Sequence, residues 1–251
     1  MTEKLQKYRD QGYEEEMEAP YDPYNLSKRE LYQISKPLFD QLLLDLRYSS
    51  HMSFIKSIEK RLPDCQRIDI RYFPCDDKEV VSFLQSYFPR SVKWLNFNYG
   101  SELRYFLDYY IGALLSVSDQ VTGGLFLYNF EVSRENLIKF LTKNKTKKIL
   151  VLNNCKLLLD KAPNFRDKLD GTCIEVLDLS GCGDAGHGDW RHNPRDFENL
   201  IKGLSKSSDF KASLKKICML RSRMRDTQMR SILDTHGFKN TEISNEIQEY
   251  Y

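Results

Sequence analysis

The segment Glu175–Trp190 reads EVLDLSGCGDAGHGDW. An apolar run, Val176-Leu177-Asp178-Leu179, leads into three glycines, Gly181, Gly183 and Gly186, and two histidines follow, His187 and His192. Two readings compete for it. In one, a strand feeds a glycine-rich loop that holds a cofactor or a metal. In the other, the stretch is the end of a short strand that recurs along the chain. The first reading demands a doubly wound sheet and the second a repeat, so this choice decides the fold.

The spacing G-x-G-x-x-G is the dinucleotide-binding fingerprint, and VLDLSGCGDAG also resembles the first motif of S-adenosylmethionine-dependent methyltransferases. Such folds place the glycine turn near the start of the sheet. They need a second strand about 20 residues on, ending in an acidic residue that holds the ribose. Here that distance falls in LIKGLSKSSDFKAS, a helix end and a polar loop. Only 65 residues follow Gly186, too few for the rest of such a sheet, and Ser180 is one residue too many for the methyltransferase pattern. The context required by the enzyme reading is missing.

Repeats account for the stretch better. Ile174-x-x-Leu177-x-Leu179-x-x-Cys182-x-Asp184 returns upstream with Leu150, Leu152, Cys155 and Leu157, and downstream with Leu214, Ile217, Met219, Ser222 and Met224. Looser copies carry Val92, Leu95, Phe97 and Gly100; Leu125, Leu127, Phe130 and Val132; and Ile68, Ile70, Phe73 and Cys75. The anchors at 68, 95, 125, 150, 177 and 217 are spaced 27, 30, 25, 27 and 40 apart. This frame resembles the leucine-rich repeat consensus L-x-x-L-x-L-x-x-N/C-x-L, of the longer, ribonuclease-inhibitor-like class, whose period is about 20–29 residues. Only the last position, Asp184, departs in the best copy.

The resemblance implies an α/β leucine-rich repeat solenoid: a curved parallel sheet lining a concave side, with helices outside. It implies a binding role, since such folds offer a long surface. It also implies that Cys155, Cys182 and Ser222 turn inward and bond the backbone where each strand ends. Helical spacing supports the outer layer at DDKEVVSFLQSYF (76–88), SELRYFLDYYIGALLSV (101–117), SRENLIKFLTKN (133–144), NPRDFENLIKGL (193–204) and DTQMRSILDTHGF (226–238). Ser101, Ser133 and Asn193 are expected N-caps, and Gly237 a C-cap glycine.

The domain reading is a tail over 1–24, an N-terminal helical cap over 25–60, a solenoid of about six irregular repeats over 61–240 and a C-terminal tail over 241–251. The cap rests on a Ser27–Glu30 capping box and on Leu31, Ile34, Leu38, Leu42, Leu43 and Leu46 at helical spacing, then MSFIKSIEKRL (52–62).

Composition bounds the function. The 251 residues carry 38 basic and 36 acidic side chains, a net charge of +2, which argues against a nucleic-acid partner. No apolar run approaches the ~18 residues of a membrane span, and MTEKLQKYRDQGYEEEMEAP has the form of neither a secretory signal nor a mitochondrial presequence. Six cysteines without framework spacing read as reduced thiols. An intracellular protein is expected, cytoplasmic or within a cytoskeletal or organellar assembly, and not secreted.

If the frame residues point inward, their strand neighbours face the other way. Trp94, Asn96, Phe126, Tyr128, Ile149, Val151 and Val176 then make an aromatic and apolar strip open to water, a form suited to a protein partner. Trp190, in the roughly dozen extra residues of the fifth repeat, joins them as a candidate. The function expected is a non-catalytic protein–protein interaction module, a structural or scaffolding subunit of a multi-protein complex, with no cofactor and no metal. It would bind through the concave face and the N-terminal tail. The alternatives are a metal- or cofactor-binding enzyme using the 181–196 loop, with Asp184, His187, Asp189, His192 and Asp196, or a ubiquitin-ligase substrate adaptor, although residues 26–61 hold no convincing F-box.

Overall fold

A computed structural model describes residues 41–45, 55–56, 58–71, 78–98, 107–142, 147–158, 165, 169–184, 188–189, 194–220 and 224–244. The strands are β1 (Gln41–Asp45), β2 (Cys65–Arg71), β3 (Val92–Asn98), β4 (Val121–Tyr128), β5 (Glu131–Ser133), β6 (Ile149–Asn153), β7 (Lys156–Leu158), β8 (Val176–Asp178), β9 (Gly183–Asp184), β10 (Gly188–Asp189), β11 (Lys216–Cys218) and β12 (Glu242–Ser244). The helices are α1 (Lys78–Ser82), continued by a π turn over Phe83–Tyr87, then α2 (Leu107–Val117), α3 (Arg134–Thr142), α4 (Pro194–Leu204), α5 (Ser208–Ser213) and α6 (Asp226–Thr235).

Eight strands form one parallel sheet in the order β1-β2-β3-β4-β6-β8-β11-β12, so spatial neighbours follow chain order. The sequence anchors fall into a single cross-strand row, Ile68, Leu95, Leu125, Leu150, Leu177 and Ile217. All six are buried. A second row, Ile70, Phe97, Leu127 and Leu152, runs beside it. Both rows face the helices. Val80, Leu84, Leu114, Leu137, Phe140, Leu200, Ile201, Met229 and Leu233 close over them in one core cluster. Each such apolar side chain contributes about 1.5–3 kcal/mol by leaving water.

After β4, β6 and β8 the chain turns on a residue with positive φ: Asn129 (66°), Asn154 (53°) and Gly181 (69°). Asparagine and glycine are the residue types that tolerate this region. The next residue turns inward. Cys155 Sγ donates to the Leu127 carbonyl at 3.4 Å, and Cys182 Sγ to that of Leu152. These are the inward thiols expected at the N/C position, and each ties one strand end to the strand before it. A small second sheet follows, β5, β7 and β9 in parallel with β10 antiparallel to β9. Val132, Leu157 and Asp184 align across it, which are the last positions of the repeat frame.

Capping follows the local sequence. Ser133 Oγ accepts from the Asn136 N–H at 3.2 Å ahead of α3, and Gly237, with φ 87°, follows α6. The short α5, read as a polar loop, is held by Ser207 Oγ accepting from Phe210 N–H at 3.2 Å. Buried Phe210 anchors it, edge-on to Phe238 at 6.2 Å.

Three expectations are corrected. Gln41–Asp45 is a strand, not part of a helical cap. Its Leu42 and Leu44 pair in register with Ile68 and Ile70 and extend the core rows, so cover of the β2 edge outweighs local helix propensity. Within 52–62, Ile55 and Lys56 are helical, but Ile58–Leu62 is irregular chain with Ile58 and Leu62 buried. At the other end, Glu242–Ser244 is not tail but the last strand of the sheet, and Ile243 continues the anchor row. Residues 1–24, most of 25–60, and the side chains of Asn193, Trp190, His187 and His192 lie outside the described residues.

Candidate functional site

The face of the sheet opposite the helices carries the alternate residues of each strand. Its outer row, in register, is Arg67, Trp94, Gly124, Ile149, Val176 and Lys216; its middle row is Asp69, Asn96, Phe126, Val151, Asp178 and Cys218. Tyr128 stands beyond Phe126 on β4, level with Asn98 and Asn153.

Seven of the eight candidate residues therefore come together on one face, and Trp190 lies outside the described residues. Their exposure divides them. Trp94, Asn96, Tyr128, Ile149 and Val176 are half-buried. Phe126 and Val151 are each only 1% exposed, and neither belongs to the core cluster under the helices. These two are a correction to the expected water-facing strip, because the middle row, apart from half-buried Asn96, forms a thin buried layer of its own.

Trp94 is the main feature of this face. Its ring meets Phe126 edge-on, 5.9 Å between centroids, with Lys93 Nζ 5.4 Å from the Trp94 ring. Two glycines on β4 make the space. A Cβ at Gly124 would lie 2.8 Å from the Trp94 ring and 2.9 Å from that of Phe126, and one at Gly123 would lie 2.7 Å from the Lys93 carbonyl. We expect Gly123→Ala to be the costlier change, since it meets backbone, which cannot swing away. Gly124→Ala should cost about 1–3 kcal/mol and push Trp94 outward. Urea midpoints would rank the two variants, and Trp94 emission in a Trp190→Phe background would report the displacement.

Polar groups on this face are paired locally. Arg67 Nε bonds both Asp69 carboxylate oxygens, at 3.0 and 3.1 Å. Asp178 Oδ1 accepts from Ser180 N–H at 2.8 Å, and Ser180 Oγ accepts from Leu220 N–H at 2.9 Å, which ties the ends of β8 and β11 together. Asn129 donates to Asn98 at 3.2 Å and Asn154 to Asn129 at 2.5 Å, an amide chain across three strand ends. At the strand starts, Glu175 bridges Lys148 (2.7 Å) and Lys215 (2.6 Å). The Lys148 bond, then that of Lys215, holds the Glu175 carboxyl below the usual range. One acceptor is left over: Asn96 Oδ1 is shielded from water and has no hydrogen-bond partner.

Two glycines of the opening segment, Gly181 and Gly183, are used by the backbone. Gly181 N–H donates to Leu220 O at 3.1 Å, Gly183–Asp184 form β9, and Gly188–Asp189 form β10. A phosphate cradle needs a helix to start directly after the glycines. No group of three or more His, Cys, Asp or Glu placed to hold a metal occurs among the described residues. Nor is any helix among them long and apolar enough to cross a membrane.

No family model, curated protein or solved structure matches this chain.

The cysteines of the strand ends are unsuited to chemistry. Burial pushes the Cys155 thiol up to about 12 and that of Cys182 well above its usual value. At pH 8 a thiol of that acidity is roughly 10⁻⁴ ionised, against about a quarter for an ordinary one. In the native chain, iodoacetamide should label half-exposed Cys173 at least about 100-fold faster than Cys155 or Cys182, as read by peptide mass spectrometry. Comparable rates would mean that the strand ends open readily.

Proposed function

We propose that the chain is a non-catalytic interaction module of the leucine-rich repeat kind, which holds another protein against the strand face opposite its helices. The repeat reading draws support from the sheet running in chain order, from one row of anchors and from inward thiols at corresponding turns. The observation that carries the functional reading is Trp94. It is a large aromatic side chain left half-buried on the face opposite the core, seated over a glycine and set among half-buried Asn96, Tyr128, Ile149 and Val176. Aromatic anchors inside a polar rim are where interface energy concentrates. As a subunit of an intracellular assembly, the chain would use this face as its fixed contact.

Trp94→Ala tests the reading. The side chain lies outside the core cluster, so the variant should fold. Its capture of the native partner should weaken about 30-fold or more, the effect of losing a hot-spot tryptophan worth ~2 kcal/mol. Unchanged capture by a folded Trp94→Ala chain would place the partner elsewhere.

A further inference from the structure

The charges around Trp94 define what it would hold. Of the cations at this face, Arg67 is paired with Asp69, Lys148 and Lys215 with Glu175, and Lys216 with Glu242. Lys93 and Arg71 have no carboxylate partner among the described residues. Lys93 stands at the start of β3, its ammonium beside the Trp94 ring. Arg71 stands at the far end of β2, level with Asn98. The strand length from 93 to 98 is roughly 17 Å at 3.3 Å per residue, the span of five or six residues of extended peptide. Between the two cations lie the Trp94 ring and Asn96, whose Oδ1 has no donor. A half-buried amide with a spare acceptor can turn about its last torsion to meet an N–H from the open side.

We propose that this face binds an extended acidic peptide segment of a partner protein. Its carboxylates, about five residues apart, pair with Lys93 and Arg71. Its central apolar side chain covers Trp94, and one of its backbone N–H groups donates to Asn96. The proposal rests on the reading of the strand face as a protein-binding surface and names the partner's chemistry. Asn96 supplies a second argument. An unpaired buried acceptor costs stability, so a merely structural residue here would be better replaced by leucine.

The test uses the full chain and two fluorescein-labelled hexapeptides, acetyl-EEYLEE-amide and its charge-reversed counterpart KKYLKK, read by anisotropy. We expect micromolar-range binding of the acidic peptide only. Lys93→Glu should weaken it about tenfold, 1 M salt should weaken it similarly, and Asn96→Leu should weaken it about threefold or more without lowering the urea midpoint. Equal binding of both peptides would overturn the proposal, as would acidic-peptide binding that ignores Lys93→Glu and Asn96→Leu. Failure of the acidic peptide to bind the full chain would overturn it too, including the case where the chain's own acidic stretch, residues 10–27, takes the place. The parent reading fails separately, through partner capture that ignores Trp94→Ala.

Discussion

Phe97→Ala is expected to cost about 3–5 kcal/mol of folding free energy, the usual range for deleting a buried phenylalanine. Phe97 is fully buried in the second core row, between Ile70 and Leu127 in the register, and its ring lies 5.9 Å from that of Phe130. Phe130 occupies the position where the next two repeats place Cys155 and Cys182, each bonding the previous strand. It has no donor to offer, and here the Phe97–Phe130 ring contact stands where the thiol bond stands in those repeats. Removing the Phe97 ring takes away both the buried area and that contact, in the middle of a structure where each strand rests on its neighbours. Urea denaturation should show a large fall in midpoint. A loss below about 1 kcal/mol would mean that the rows do not form one continuous core.

Phe126→Ala should be nearly as damaging, about 3–5 kcal/mol, although Phe126 lies on the opposite face. At 1% exposure it is as buried as the core residues, and the Trp94 ring lies edge-on against it. The pair Trp94→Ala and Phe126→Ala therefore separates two roles that alternation along the strands assigns alike. Trp94→Ala should spare the fold and weaken partner capture, whereas Phe126→Ala should lower the melting temperature first. Equal, small effects of both on stability would mean that the middle row is open to water.

Much of this architecture was legible. The anchors from Ile68 to Ile217 align in the sheet as their spacing predicts, and the N/C frame position identified the inward thiols of Cys155 and Cys182. The two ends were not read. In QLLLD, Leu42 and Leu43 fit helical spacing from Leu38 as well as they fit a strand, because a short apolar run satisfies both periods. The signal was the spacing: Leu42 lies 26 residues before Ile68, and Ile243 lies 26 after Ile217, each within the repeat period. Strands β5, β7, β9 and β10 have three residues or fewer, and α5 has six, too short for a periodic pattern to register.

For the candidate site, alternation places Trp94, Asn96, Phe126, Tyr128, Ile149, Val151 and Val176 on one face. It says nothing of how deep each side chain lies. The depth of Phe126 and Val151 depends on neighbouring strands, whose alignment is a property of the folded sheet. The role of Gly123 and Gly124 was missed for the same reason, since a glycine in a strand shows its purpose only when the ring crossing it is seen. The one sequence cue was the glycine pair itself inside an otherwise apolar strand.

Site-specific photo-crosslinking in the native cell would show whether a partner lies on the strand face. A benzophenone amino acid would be placed at Ile149 or Val176, half-buried on the strand face, and as a control at Glu198, exposed on α4. One discrete crosslinked protein is expected from both strand positions and none from Glu198. Crosslinks from Glu198 with none from Ile149 or Val176 would contradict this expectation and move the binding surface to the helices.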